Sequence, residues 1–294
     1  MTNNRCFERL AAAAVILLAT ALPGAADGVS QFEQKIRPQL PPNFLTYAKA
    51  KALGDNGFVL DDVVVTADGI GGAKAEPVAI KRVTVDHFDF AGLDKGMPLF
   101  LKIRVEGITV ASKPAAGVDL NELAGIDRAV ADFGLDYRVD PDRKTLTLDK
   151  LELDVGGLAR FELSLVLDGV SPDLAGKPDA AMNGAALRSA TLIFEDRSLL
   201  SKVVPAAAKL QGTGVDAIMK QATTMLDGMR ASQSEATLAV FDALGSFLGD
   251  YKHPKGPLKI TVNPPNKASA AALSDIKSPN DAVKALGLVV TYGG

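Results

Sequence analysis

The stretch FGLDYRVDPDRKTLTLDKLELDVGGLARFELSLVLDGV (133–170) decides how this chain folds, because apolar and polar residues alternate through most of it. Asp-Pro-Asp-Arg-Lys (140–144) and Gly156-Gly157 interrupt the alternation with residues that are typical of turns. A period of two, with polar residues on the second face, is typical of an antiparallel sheet that buries one face. The stretch therefore predicts three strands of an antiparallel β-meander.

Three segments share a further pattern, in which two apolar-x-apolar pairs are separated by two residues. The separating residues are Asp61-Asp62, Glu106-Gly107 and Asp149-Lys150. A strict period of two would turn the second apolar pair to the opposite face, whereas a β-bulge with one extra residue keeps both pairs on one face. Bulges at matching places in successive strands predict a curved sheet.

The periodicity becomes helical after residue 197. Helices are predicted over Leu199–Leu210, Val215–Ala231, Ala236–Leu248 and Pro279–Leu286, and further strands over Leu258–Val262 and Leu288–Tyr292. Ser234 is a suitable N-cap for the third helix, and Gly249 is a suitable stop.

These patterns predict an α+β fold: a curved antiparallel β-meander with bulged strands, and helices packed on its apolar face. The predicted organisation is a signal peptide over residues 1–26 and a single domain over 27–294. Within this domain, 27–197 form mainly the meander, 198–249 the helical segment, and 250–294 the returning strands with a short helix.

The N-terminus has the features of a secretory signal peptide. Arg5 and Arg9 precede an apolar run of about a dozen residues, which is too short to span a bilayer as a helix. Cleavage is expected after Ala26, with Ala21 as the second choice. Cys6, the only cysteine, lies within this segment, so the mature chain would carry no disulfide. The sequence therefore predicts an exported, periplasmic protein.

Composition and motifs argue against most enzyme classes. The chain has 32 Lys and Arg against 35 Asp and Glu, and this slightly acidic balance argues against nucleic-acid binding. It does not exclude transient contact with a membrane. His87 and His253 are too few for a histidine-rich metal site. Ser274-Asp-Ile-Lys277 matches a penicillin-binding-protein motif, but the Lys-Thr-Gly that accompanies it is missing. Acidic residues such as Asp168 are expected to be solvated, and we predict no enzyme activity, cofactor or metal.

The helical segment carries flexible and bulky apolar side chains that would suit a lipid or another hydrophobic molecule. The candidate ligand-binding residues are Met219, Met225, Leu226, Met229, Phe241, Leu244 and Phe247. The alternative is that these side chains only fill the core between helices and sheet. Core filling is the favoured interpretation for any single residue, but methionines on both faces of Val215–Ala231 make it weaker for the set as a whole.

Two phrases, DYRVDPDRKTLTLD (136–149) and LRSATLIFEDR (187–197), resemble uncharacterised periplasmic proteins of alphaproteobacteria. The repeated bulged strands more distantly resemble AsmA-like envelope proteins, and this resemblance implies a β-groove that holds lipid and a role at the outer membrane. The expected function is non-enzymatic binding of a lipid or hydrophobic small molecule, for envelope maintenance or lipid transport. The alternative is a structural or interaction module with a filled core, whose partner is an envelope protein.

Overall fold

The predicted α+β class is confirmed by a computed structural model, which describes residues 26–66, 77–93, 98–111, 128–171, 184–269 and 273–293. Within these ranges, twelve strands form an antiparallel sheet, accompanied by five α-helices and a short 3₁₀ helix at Arg37–Gln39. The predicted signal peptide, apart from Ala26, lies outside the described residues. None of the helices that the structure describes is both long enough and apolar enough to cross a membrane.

The strands follow the chain in a meander. They are β1 (Leu45–Thr46), β2 (Lys49–Ala52), β3 (Phe58–Val65), β4 (Val78–Phe88), β5 (Phe100–Ala111), β6 (Arg128–Asp140), β7 (Thr145–Val155), β8 (Ala159–Asp168), β9 (Ala186–Asp196), β10 (Leu258–Val262), β11 (Ala268–Ser269) and β12 (Leu288–Tyr292). The strand order is β1-β3-β4-β5-β6-β7-β8-β9-β10-β12, while β2 pairs with β3 and β11 with β9.

Four of the five helices lie where their periodicity predicts, and the other, α1 (Gly28–Lys35), precedes the sheet. The four are α2 (Leu199–Leu210), α3 (Val215–Met229), α4 (Glu235–Gly249) and α5 (Pro279–Leu286). The Ser234 side chain caps α4 by accepting a hydrogen bond from the Thr237 N–H at 3.3 Å, as predicted. The second predicted helix ends two residues early, at Met229.

Contacts within the chain divide it into two compact units. The first contains residues 1–118 and 127–136, and the second contains 119–126 and 137–294. The single domain predicted over 27–294 stays a prediction.

The core of the first unit forms where α1 packs against the meander. Phe32 of α1 is buried, and its ring centroid lies 5.1 Å from that of Phe58 in β3. The Tyr47 hydroxyl donates to Glu33 Oε1 at 3.0 Å, and burial together with this carboxylate raises the pKa of Tyr47. The approach is close enough that a Cβ at Gly28 would lie 2.1 Å from the Gly57 carbonyl oxygen, so only glycine fits there.

The pattern of paired apolar residues has the predicted consequence in this unit. Leu60 and Val63 of β3 are both buried, although a strict period of two would place them on opposite faces. The β3–β4 register does not shift across Asp62, because Val83 and Ile80 of β4 show the same three-residue spacing. Each of the two strands therefore has its extra residue at the same place, and the register between them is unchanged.

The second unit contains true register shifts. Leu148 of β7 pairs with Leu165 of β8, whereas Leu151 pairs with Leu163, so that β7 carries one extra residue at the predicted Asp149-Lys150 bulge. A second shift places Arg188 as an extra residue in β9. Both shifts keep the leucines of neighbouring strands on one face.

Helix α4 packs on part of this face, as predicted. The Phe247 ring meets the rings of Phe194 and Tyr292 edge-on, with centroids 5.7 and 5.3 Å away. Val240 of α4 and Val290 of β12 are buried in the same cluster. The helical segment thus covers β10 and β12.

A buried hydroxyl joins α4 to α5. Thr237 is fully buried, and its hydroxyl donates to Asn280 Oδ1 at 2.7 Å. The same oxygen accepts the Ser234 N–H at 2.9 Å. One amide side chain therefore satisfies two donors at the start of α4.

We predict that Asn280→Ala lowers the free energy of unfolding by about 1–3 kcal/mol, because it removes the amide oxygen that accepts from both the Thr237 hydroxyl and the Ser234 N–H. Chemical denaturation measures the loss. Asn266→Ala, at an exposed position, is the matched control and should change stability by less than about 0.5 kcal/mol. Equal stability of the two variants would contradict the role of Asn280.

Candidate functional site

The predicted site residues on α3 are poorly buried. Met225 is 68% exposed, and Met219, Leu226 and Met229 are half-buried. No residue of α3 is buried. The methionines therefore lie on the surface of a helix, and ligand binding by them stays a prediction.

The predicted residues on α4 lie in a different environment. Phe241 and Phe247 are buried, and Leu244 packs against the cluster that Phe247 forms with the sheet. The seven candidates therefore differ in exposure, and ligand binding by the three residues on α4 also stays a prediction. The structure describes one cavity beside α5 and another at an end of β7 and β8. None of the seven candidate residues lines either cavity.

The structure exposes an apolar surface that the helical motifs did not indicate, on the sheet itself. Directly paired residues of antiparallel strands point to the same face. Three cross-strand rows of β7, β8 and β9 are Leu146-Leu167-Leu187, Leu148-Leu165-Ala190 and Leu151-Leu163-Leu192. Leu153 pairs with Phe161, and Phe161 pairs with Phe194. We call the eleven residues of these rows, without Phe194, the leucine face.

None of the residues of the leucine face is buried. Leu153 is 40% exposed and Phe161 38% exposed, while the others are half-buried. By contrast, Leu258 and Val290, farther along the same face in β10 and β12, are buried under α4. The apolar side of the sheet thus has a covered part and an open part.

Aromatic rings mark the boundary between the two parts. The exposed Phe161 ring lies 4.5 Å from Phe194, measured between centroids, and Phe194 in turn contacts the buried Phe247. The leucine face extends from this boundary over eight residues of β7, or about 23 Å at the usual rise per residue. It is an elongated surface with one aromatic end.

The chemistry of the leucine face is almost purely aliphatic. Nine of its eleven side chains are leucine, and none carries a hydrogen-bonding group. Protein interfaces are enriched in tyrosine, tryptophan, methionine and arginine, and leucine is under-represented among their strongest contacts. The composition of this face suits a flexible hydrocarbon chain better than a protein surface.

Ion pairs order the opposite face of the same strands. Arg197 is hydrogen-bonded to Asp154 at 2.8 and 3.0 Å and also contacts Glu195, and these hydrogen bonds raise its pKa. Arg160 forms ion pairs with Glu152 at 2.7 Å and Glu162 at 2.8 Å. These charged side chains pair across β7 and β8 and with Arg197, just after β9, on the face opposite the leucines.

Residues that could hold a metal do not assemble in the part of the chain that the structure describes, where no three His, Cys, Asp or Glu side chains converge. His87 is exposed in β4, and its ring stacks on Phe100 with centroids 4.6 Å apart. The clearest candidate feature among the described residues is the exposed apolar surface of the leucine face.

We predict that the open and covered parts respond differently to truncation. Phe247→Ala should lower the free energy of unfolding by about 3–5 kcal/mol because it empties a buried site. Leu153→Ala should lower it by less than about 1 kcal/mol, since much of the side chain already contacts solvent. Chemical denaturation of both variants tests this, and a Leu153 loss as large as that of Phe247 would show that the leucine face is covered.

Comparison with known proteins adds one finding. Residues 152–293 match the model of a family described as an uncharacterized protein. The match begins in β7 and extends through β12, so it includes β8, β9, the helical segment and part of the leucine face. A search of curated proteins found no match.

Proposed function

We propose that this is a non-enzymatic periplasmic protein that binds the hydrocarbon chain of a lipid on its leucine face, for lipid transport or envelope maintenance. The observation that carries the proposal is the partial exposure of eleven adjoining apolar side chains on one face of β7, β8 and β9. Contiguous apolar surface of this kind is rare on soluble proteins and usually marks a binding site.

The energetics support a hydrocarbon ligand. Burying apolar area contributes about 25 cal/mol for each Å², so a chain lying along the leucine face gains affinity without forming a hydrogen bond. The side chains that it would contact are mainly leucines, which form one row on this face of each strand. Phe161 lies at the end of this surface, beside the covered core.

The location in the periplasm rests on the sequence. The basic residues, short apolar run and small residues of the first 26 positions are those of a secretory signal peptide. A soluble lipid carrier in that compartment would need an apolar surface on a folded domain, which the second unit provides.

A second candidate function is binding to an envelope protein. Strand β12 is at one end of the strand order, and Val289 on it is 55% exposed. An edge strand can pair with an extended segment of another chain. This alternative uses the edge of the sheet rather than the leucine face, and the two can therefore be separated by experiment.

The absence of tryptophan from the chain allows a direct test. We predict that the indole of Phe161→Trp is strongly quenched by a dibrominated fatty acid and not by the unbrominated acid, because bromine quenches only at short range. The matched control is Val289→Trp, which is exposed on the opposite face, where its neighbour Thr261 also lies. Fluorescence titration of each variant is the measurement.

Native mass spectrometry of the same proteins provides the stoichiometry. A fatty-acid adduct together with selective quenching of the Phe161→Trp variant supports the proposal. Equal quenching in both variants, or none in either, would refute binding on the leucine face. In that case, a pull-down from envelope extract with and without a charged substitution in β12 would test the edge-strand alternative.

A further inference from the structure

A cationic pocket lies at one end of β7, β8 and β9, on the opposite side of the sheet from the leucine face. Thr145, Thr147 and Asp168 line it, and in their strands they alternate with the leucines. The volume of the pocket is about 740 Å³. Its cationic side chains are Arg138, Arg143, Lys144, Arg188 and Lys267, and its lining carboxylates are Asp140 and Asp168.

Asp168 organises one side of this pocket. Its side chain is only 9% exposed, in contrast to the solvated carboxylate that the sequence suggests. The Arg188 guanidinium donates to both carboxylate oxygens, with Nε 3.0 Å from Oδ2, and Lys267 Nζ lies 3.0 Å from the same oxygen. The hydrogen bond from Arg188 keeps the pKa of Asp168 below its ordinary value, and Lys267 adds to this effect.

Two cations therefore share one ionised carboxylate. Their side chains are held in place by Asp168, yet they are 53% and 65% exposed for Arg188 and Lys267. The pair contributes one uncompensated positive charge to the pocket, together with N–H groups that Asp168 does not use.

The β6–β7 turn supplies the other side. The Arg143 N–H donates to Asp140 Oδ1 at 2.9 Å, which fixes the turn. The Arg143 side chain is 84% exposed, and its Nε is 3.6 Å from Asp140 Oδ2, beyond ordinary hydrogen-bond distance. Lys144 has no anionic partner among the described residues, whereas Arg138 is paired with Asp149. Arg143 and Lys144 thus have donors available for a ligand.

We propose that this pocket binds a small molecule that carries phosphate groups. The pocket keeps an excess of positive charge even when Asp149 is counted, although the whole chain has a net charge of −3. Guanidinium groups match phosphate oxygens in geometry, and several cations around one concavity favour a multiply charged anion. Its volume is larger than one phosphate requires and lies within the usual range for small-molecule sites of about 300–1,000 Å³.

The proposal is independent of the one for the leucine face. The two surfaces lie on opposite sides of the sheet, and no residue belongs to both. Phosphate binding can therefore fail while lipid-chain binding succeeds, and the reverse also holds.

Isothermal titration calorimetry of the full chain with pyrophosphate at low ionic strength tests the pocket. Wild type should bind with an affinity that falls as salt is added, because the contacts are between charges. The double variant Arg143→Ala/Lys144→Ala should bind about tenfold more weakly or worse, since it removes charge-assisted hydrogen bonds. Neither side chain supports the fold, so thermal unfolding should be unchanged.

The matched control is Lys209→Ala/Lys220→Ala, which removes two charges from exposed positions on α2 and α3. It should bind pyrophosphate like wild type. The absence of binding heat in wild type would overturn the proposal, and so would equal weakening in both double variants, because the attraction would then be diffuse.

A second measurement identifies the source of the phosphate. The chain is sedimented with phosphatidylglycerol vesicles, with and without excess pyrophosphate. Binding that pyrophosphate reverses, and that Arg143→Ala/Lys144→Ala abolishes, supports the pocket and identifies a lipid head group. Binding of pyrophosphate in solution without sedimentation supports the pocket and identifies a soluble phosphorylated molecule.

Discussion

The pairing of β7, β8 and β9 with their bulges is the constraint on which the second unit depends. A strand without an extra residue at Asp149-Lys150 would turn Leu146 and Leu148 away from the side occupied by Leu151 and Leu153. Without the extra residue in β9, Leu187 would likewise lie on the opposite side of the sheet from Ala190 and Leu192. Two inserted residues therefore create one continuous apolar face, and the polar and charged residues of these strands lie mainly on the other side.

The insertion in β9 has a second effect. The extra residue there is Arg188, whose guanidinium binds the buried carboxylate of Asp168. The residue that keeps the leucines aligned is thus also the residue that brings a cation to the opposite face. One local irregularity in the backbone links the apolar surface to the cationic pocket.

Packing then divides the apolar face into two parts with different properties. Helix α4 is long enough to cover β10 and β12, and its aromatic and branched side chains bury Leu258 and Val290 there. The leucines of β7 and β8 lie beyond this helix and keep partial solvent contact. A covered side chain contributes more stability than an open one, because hydrophobic stabilisation grows with the apolar area removed from water, and the open part keeps apolar area in contact with solvent.

Local sequence determined the secondary structure of this protein closely. Periods of 2 and 3.6 residues predicted β10, β12, α2 and α5 with their observed bounds, and the spacing of paired leucines predicted the bulge in β7. Those features depend on neighbours in the sequence, as does the cap that Ser234 provides for α4. The alternation of β7 and β8 also identified the residues of the leucine face, although not that they are open.

Only the tertiary structure decided which apolar residues are covered and which charges meet. Met225 and Phe247 both lie in amphipathic helices, yet one is exposed and the other buried, because α4 contacts the sheet and α3 has no buried residue. Asp168 and Lys267 are about a hundred residues apart in the sequence and form an ion pair in the structure. Periodicity assigns a side chain to a face of its own element, whereas its burial and its partners depend on which distant element packs there.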